Sequence, residues 1–110
     1  MYQGQALCLN KLDAGLVELT LDLQSSSVNK LNQHTLTELA EAVVILRDAS
    51  DVKGLLIRST KPAFVVGADI TEFVENFNLS EEQLATWVGR TNQLFCELEN
   101  LPYPTVAAIN

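Results

Sequence analysis

The chain has 110 residues, of which 47% are hydrophobic, and its 14 acidic and 7 basic side chains give a formal net charge of −7. This length and apolar content are typical of one folded domain and exclude a disordered chain. The acidic balance disfavours nucleic acid as a partner, and the longest apolar run, residues 42–46, is too short for a membrane-spanning helix, which needs about 20 residues.

Two short strands are predicted at the start of the chain, over residues 6–12 and 16–22. The second strand alternates apolar and polar residues with a period of two, which is typical of a strand with one buried face. Residues 13–15 predict a hairpin turn between them, in which Gly15 is able to adopt a positive φ. We therefore expect an antiparallel hairpin at the N-terminus.

A helix and a buried strand follow the hairpin. Thr35 and Glu38 have the spacing of a capping box, and apolar residues then recur in steps of three and four. The helix is predicted to end at residues 48–51. Residues 53–59 have the continuous apolar centre that favours a strand of a parallel sheet. The apolar stripe of the helix consists of Leu36, Leu39, Ala40, Val43 and Leu46.

Two further helices are predicted in the second half of the chain. Residues 64–66 form a brief extended run, after which Asp69 and Glu72 again have capping-box spacing and predict a short helix from Ile70. Ser80, followed by acidic residues, predicts the start of a longer helix. The apolar stripe of that helix, interpreted as core, consists of Leu84, Trp87, Val88, Thr91, Leu94, Phe95 and Leu98.

The longer helix is predicted to stop before Pro102 and Pro104, and residues 105–109 predict a last apolar strand. Strands that alternate with helices indicate an α/β fold, in which the N-terminal antiparallel hairpin leads into a mostly parallel sheet. A parallel strand is ordinarily followed by a covering helix. We therefore expect the chain to be one part of a longer domain.

The turn at Gly67 is the strongest candidate site. A strand that turns into a helix at Gly67-Ala68-Asp69 leaves backbone N–H groups without helical partners, and the small residues let a ligand approach them. Fixed backbone donors of this kind are what an oxyanion hole requires. The alternative is an ordinary strand-to-helix turn in which Asp69 only caps the helix, and the residues alone leave both interpretations open.

Two other features are expected near this turn. Residues 27–32 follow a strand, and in a parallel sheet this loop lies at the same carboxyl-end rim as Gly67. Lys53, Arg58 and Lys61 precede the turn and form a local cluster of cations that is suited to phosphate groups. The alternative explanation of the cluster is that its charges keep a strand edge soluble.

The remaining candidate residues form no chemical motif. His34 has no carboxylate or serine at catalytic spacing and is interpreted as a solvated side chain. Cys8 and Cys96 lack the spacing of metal or redox motifs, so no metal site is expected. Two ordinary reduced cysteines are typical of a cytoplasmic protein.

Four segments resemble the crotonase (enoyl-CoA hydratase/isomerase) superfamily: residues 28–31, 53–57, 64–73 and 101–110. The resemblance extends over essentially the whole chain and is closest to the N-terminal part of multifunctional fatty acid oxidation enzymes. It implies that residues 1–110 are the N-terminal part of an enoyl-CoA hydratase/isomerase domain, with a truncated crotonase-like fold of repeated ββα units.

The resemblance also implies a site. The Ala68 amide would be one of two oxyanion-hole donors to a coenzyme A (CoA) thioester, with Gly67 shaping the turn. The second donor and two catalytic glutamates come later in the family pattern, outside these 110 residues, so we expect the isolated chain to be inactive. Some members bind CoA phosphates through a lysine where this chain has Thr71, which leaves Lys30 or Lys61 for that contact. The CoA-binding residues implied by the resemblance are Asn29, Lys30, Phe64, Val66 and Asp69.

The implied function is hydration of trans-2-enoyl-CoA to 3-hydroxyacyl-CoA, with isomerisation of enoyl-CoA double bonds, in fatty acid β-oxidation. The resemblance further implies an NAD-dependent 3-hydroxyacyl-CoA dehydrogenase later in the protein and a thiolase β subunit as partner, with no cofactor in these residues themselves. Two alternatives stay open. One is a small acidic regulatory module similar to STAS domains, although no phosphorylatable serine lies at the Gly67 turn. The other is a crotonase-fold scaffold without catalytic glutamates.

Overall fold

A computed structural model describes the backbone of residues 1–110 and every side chain except those of Phe73 and Asn76. This backbone forms one five-stranded sheet and three α-helices. The strands are β1 (Tyr2–Gln3), β2 (Leu7–Lys11), β3 (Leu16–Leu21), β4 (Gly54–Ser59) and β5 (Thr105–Ala108). The helices are α1 (Gln33–Asp48), α2 (Ile70–Asn76) and α3 (Glu81–Glu99).

The strands lie side by side in the order in which they occur along the chain. β1, β2 and β3 pair antiparallel, whereas β3, β4 and β5 pair parallel. Leu19 at the centre of β3 lies opposite Leu9 on one side and Ile57 on the other. α1 connects β3 to β4, and α2 and α3 connect β4 to β5. The predicted α/β fold, with a hairpin leading into a parallel sheet, is confirmed.

A single 3₁₀ turn, Asp13–Gly15, joins β2 to β3. Gly15 has a φ of +80°, which confirms the predicted hairpin turn, and Ala14 also adopts a positive φ of +62°. The Gly15 carbonyl accepts a hydrogen bond of 2.7 Å from the Lys53 N–H. The turn therefore also holds the start of β4 in place.

The hydrophobic core lies between α1 and one face of the sheet. Alternate residues of β3 point into it, and Val17 and Leu19 are almost completely buried. α1 contributes Leu39, Val43 and Leu46 to the same cluster. Burial of each such side chain stabilises the fold by about 1.5–3 kcal/mol. The alternation in the sequence of β3 thus reports correctly which of its residues face the helix.

The predicted capping box at the start of α1 is wrong. The N-cap is Asn32, whose Oδ1 accepts the Thr35 N–H at 2.8 Å. Glu38 is buried, and its carboxylate accepts the backbone N–H groups of Gln5 at 2.5 Å and Ala6 at 2.6 Å. These two groups lie in the bend between β1 and β2, outside the strand pairing. The Glu38 carboxylate thus binds a segment that is distant in sequence and, contrary to the prediction from the local spacing, does not cap the helix.

The start of α3 agrees with the sequence, but its apolar stripe is only partly buried. Ser80 caps the helix in a capping box. Leu94 is buried, Trp87 is half-buried, and 42% of Val88 and 37% of Phe95 are exposed. Trp87 packs against the core from its half-buried position, whereas the assignment of Phe95 to the core is corrected. α3 packs against α1, and part of its stripe, including Val88, faces outward.

β5 has an exposed surface although its sequence is apolar. It is an edge strand of the sheet, and all four of its residues are exposed. Val106 is 60% exposed, and Ile109 immediately after the strand is 76% exposed. An apolar surface therefore extends from α3 across this edge of the sheet.

The contact between Gly4 and Glu38 can be tested by its effect on stability. A Cβ added at Gly4 would overlap the Glu38 carboxylate. We expect Gly4→Ala to lower the free energy of unfolding by about 1–3 kcal/mol, because an overpacked site must displace its neighbours. In a Glu38→Ala background the overlap is absent, so the effect of Gly4→Ala should fall below about 0.5 kcal/mol. Urea unfolding measures both effects, and equal losses in the two backgrounds would contradict the contact.

Candidate functional site

The candidate site is the turn that joins residues 64–66 to α2. Gly67 has a φ of +125°, a backbone conformation that residues other than glycine rarely adopt. No atom beyond its chain neighbours lies within 4 Å of the position that a Cβ would occupy. The turn therefore needs glycine for its backbone conformation and not for lack of space.

Residues 29–31 run parallel to the turn and hold it. The Val66 N–H donates to the Asn29 carbonyl at 2.9 Å, and the Leu31 N–H donates to the Gly67 carbonyl at 2.8 Å. Leu31 and Ala68 thereby form an isolated parallel bridge. The sequence predicts both segments on one rim but does not predict their pairing. Residues 28–31 have only two apolar residues, which is too short a pattern to indicate a strand.

The hydrogen bond between Leu31 and Gly67 does not use the Ala68 N–H. The Gly67–Ala68 peptide is trans, so its N–H points away from Leu31 when its carbonyl points towards it. Ala68 is exposed, and its N–H donates no hydrogen bond to any residue that the structure describes. The result is a backbone donor at the entrance to α2 without a partner among the described residues, as an oxyanion hole would need and as the first turn of any helix also leaves.

Asp69 is the N-cap of α2, as the sequence predicts. Its Oδ1 accepts the Thr71 N–H at 2.9 Å and the Glu72 N–H at 3.5 Å, and its Oδ2 lies 3.3 Å from the Lys30 Nζ. Burial alone would raise the pKa of the Asp69 carboxyl, but the hydrogen bonds from Lys30 and these N–H groups outweigh burial and lower the pKa. Glu72 accepts the Gln33 N–H at 2.7 Å and so ties α2 to α1.

Asn29 lies inside the loop and not on its surface. Its side chain is buried, and its Oδ1 accepts the Leu23 N–H at 2.9 Å. Its Nδ2 donates to the Leu21 carbonyl, the Ser59 Oγ and the Phe64 carbonyl at 3.2, 2.8 and 3.0 Å. All of these partners belong to the chain itself. The polar atoms of this side chain are thus used within the chain, and the CoA contact that the resemblance implies for Asn29 stays a prediction.

The implied CoA-binding residues Phe64 and Val66 lie on different sides of their segment. Phe64 and Val65 are half-buried and form part of the wall of an apolar cavity of about 270 Å³, together with residues of β3, α1, β4 and α3. Val66 is 58% exposed. Val66 therefore shares the outer surface with Ala68, whereas Phe64 supports the segment from the interior.

The predicted cluster of cations does not form. Lys53 precedes β4, at the end of the strand opposite to the turn. The Arg58 Nε lies 3.0 Å from a carboxylate oxygen of Glu18. The Lys61 Nζ lies 3.2 Å from the Asp22 Oδ1 and also donates to the Ser26 carbonyl at 2.9 Å. These cations are therefore separated or paired with acidic side chains, so the structure does not favour them as a phosphate site.

The other candidate residues of the sequence are one histidine and two cysteines. His34 is half exposed, with its Nε2 3.4 Å from the Glu38 Oε1. Cys8 and Cys96 are free cysteines. Among the described residues no group of three histidine, cysteine or acidic side chains is arranged to hold a metal ion. Within the same residues, no helix has the length and hydropathy needed to cross a membrane.

Comparison with known proteins places the chain in a family. The model of the enoyl-CoA hydratase/isomerase family matches residues 11–110. The fatty acid oxidation complex subunit alpha of Pseudomonas putida is 49% identical over 110 residues, which are 100% of this chain and 15% of that protein.

Solved structures agree with this match. An enoyl-CoA hydratase from Shewanella pealeana superimposes with a TM-score of 0.85 at 20% identity, over 96% of this chain and 39% of its own. One from Mycobacterium smegmatis superimposes with a TM-score of 0.81 at 25% identity, over 94% of this chain and 39% of its own. The chain thus spans well under half the length of these relatives. It belongs to the enoyl-CoA hydratase/isomerase family and has a crotonase-like fold.

Proposed function

We propose that residues 1–110 form the N-terminal part of an enoyl-CoA hydratase/isomerase domain in a longer protein. That protein hydrates trans-2-enoyl-CoA to 3-hydroxyacyl-CoA in fatty acid β-oxidation. Family membership and the similarity to the P. putida subunit support this proposal. The observation that carries it is the outward-facing Ala68 N–H, which is available to a ligand oxygen.

The chemistry explains why such a donor is needed. Addition of water to the double bond of an enoyl thioester places negative charge on the thioester oxygen, which becomes an enolate. The Ala68 N–H donates to this oxygen, and removal of one such donor from an oxyanion hole raises the barrier by about 2.7–4 kcal/mol. By the family pattern, the second donor and two glutamates come from the rest of the protein. One glutamate activates the water, and the other donates the proton that the α-carbon gains.

The surface around Ala68 supports a contact with CoA. Val66 and Ala68 are exposed and offer small or apolar contacts. The Lys30 side chain is 33% exposed, and its ammonium lies beside Asp69 close to the turn. We assign Lys30 to the CoA phosphates ahead of Lys61, whose side chain is only 13% exposed and is held by Asp22. Thr71 has no charge with which to form an ion pair with a phosphate.

The name of the P. putida relative supports a wider proposal. The full-length protein would also isomerise enoyl-CoA double bonds and oxidise 3-hydroxyacyl-CoA with NAD in its later part. It would assemble with a thiolase β subunit in the cytoplasm. None of these activities involves a cofactor bound by residues 1–110.

A hydration assay tests the proposed function. We expect the full-length protein to hydrate crotonyl-CoA, followed by the loss of absorbance of the conjugated enoyl thioester. The 110-residue chain alone should give no turnover, because one donor without the glutamates does not activate water. A folded full-length protein without hydratase activity would favour the scaffold alternative. Turnover by the isolated chain would contradict the assignment of the remaining groups to later residues.

The conformation of Gly67 gives a second test. We expect Gly67→Ala to lower kcat/KM of the full-length protein by about 10- to 100-fold, because the strained backbone relaxes and misplaces the Ala68 N–H. Gly89→Ala is the matched control, since a Cβ at Gly89 also meets nothing within 4 Å but lies inside α3 without a positive φ. Equal effects of the two substitutions would contradict the role of the turn.

The pairing of Asp69 gives a pH test. Because its pKa is lowered in the folded chain, its contribution to stability is complete above the ordinary value of 3.8 and is lost as the pH falls through the lowered value. We expect Asp69→Asn to flatten the acid side of the stability curve, measured by urea unfolding between about pH 2 and pH 7. Part of the slope should remain, because the hydrogen bond from Lys61 also lowers the pKa of Asp22. An unchanged slope would show that Asp69 is not paired in solution.

A further inference from the structure

A buried polar residue, Asn29, lies beneath the candidate site, and a contact with CoA would not explain why its side chain is buried. Asn29 is 3% exposed, and its side chain makes four hydrogen bonds within the chain. Three of its partners are backbone groups at or just beyond the end of β3 or just before the Gly67 turn. A buried amide is stabilising only when its polar atoms are paired, and here they are paired with the segments that form the site.

The contacts of Asn29 converge on the segment that carries Ala68. Its Nδ2 holds the Phe64 carbonyl at 3.0 Å, and its own carbonyl accepts the Val66 N–H at 2.9 Å. Two residues later in the same loop, Leu31 holds the Gly67 carbonyl at 2.8 Å. Residues 64–67 are thus fixed at three points by residues 29–31, and the last point sets the direction of the Ala68 N–H.

The other side of the amide is equally fixed. Its Oδ1 holds the Leu23 N–H and its Nδ2 the Leu21 carbonyl, so residue 29 is tied to the end of β3. The Ser59 Oγ accepts from the Asn29 Nδ2 at 2.8 Å and donates to the Ala63 carbonyl at 3.1 Å. The Asn29 side chain therefore links the ends of β3 and β4 to the segment that precedes the turn.

We propose that Asn29 is a positioning residue for the Ala68 N–H and not a ligand-binding residue. The inference rests on the proposed function of Ala68 as an oxyanion donor. Removal of the amide takes away its hydrogen bonds to the half-buried Phe64 carbonyl and the buried Leu23 N–H, and these groups move to regain hydrogen bonds with water. Residues 64–67 then shift, and the Ala68 N–H no longer points at the thioester oxygen.

The test uses the full-length protein with Asn29→Ala and, as a milder change, Ser59→Ala. Tyr103→Phe is the control, because it removes a hydrogen bond of 3.0 Å to the Leu46 carbonyl at the far end of α1. Hydration of crotonyl-CoA gives kcat and KM. The infrared band of a carbon-13-labelled thioester carbonyl in bound butyryl-CoA reports how strongly the donors polarise it. The loss of folded protein alone does not change this frequency.

We expect Asn29→Ala to lower kcat by about 10- to 100-fold, with a much smaller change in KM, and to reverse most of the shift of the carbonyl band. Ser59→Ala should lower kcat by about 3- to 10-fold and reverse part of the shift. Tyr103→Phe should retain both kcat and the band position. If Asn29→Ala does not fold, Ser59→Ala decides the question.

Two outcomes would contradict the inference in different ways. A folded Asn29→Ala or Ser59→Ala protein with the full band shift and normal kcat would show that Asn29 does not position the donor. An unpolarised carbonyl in the unmodified protein would instead refute the oxyanion role of Ala68 itself.

Discussion

The hydrogen bond from the Leu31 N–H to the Gly67 carbonyl determines which way the neighbouring peptide group faces. In a planar trans peptide the carbonyl and the N–H point in opposite directions, so a bond to one orients the other. The positive φ of Gly67 allows the chain to reach this arrangement at the entrance to α2. The proposed oxyanion site at Ala68 depends on this single peptide, because a rotated peptide plane would turn the N–H back into the protein.

Two buried polar side chains organise the irregular parts of the chain. Glu38 holds the bend between β1 and β2, and Asn29 holds the loop beneath the turn. Both satisfy backbone groups that regular strands and helices leave without partners. Apolar packing supplies the stability of the sheet and α1, while these two residues determine the paths of the segments between elements. This division explains why Glu38 and Asn29 are buried next to a core of leucine and valine.

The sequence allowed the regular elements and the turn to be predicted because their signals are local. Ser80 and Asp69 cap their helices as the spacing predicts, and alternation places β3 correctly. The misplaced residues are those whose partners are distant in sequence. Glu38 has helix-cap spacing but bonds to residues over 30 positions earlier, and Asn29 lies in a loop but contacts Ser59 and Phe64. Phe95 has core periodicity, but the described chain covers it only in part and leaves 37% of it exposed. Periodicity and spacing predict the helix or strand to which a residue belongs, but they do not predict which other parts of the chain pack against that element.

The open edge of β5 has a consequence for how this architecture grows. β4 occupies one side of β5, and no strand of the described sheet lies on the other. Unpaired backbone groups beside an exposed Val106 are a template for another strand. A strand docked there would lengthen the sheet away from the N-terminal hairpin and shelter the apolar surface beside α3. The same edge offers separate copies a route to pair with one another, so it makes the polypeptide prone to aggregation while it is uncovered.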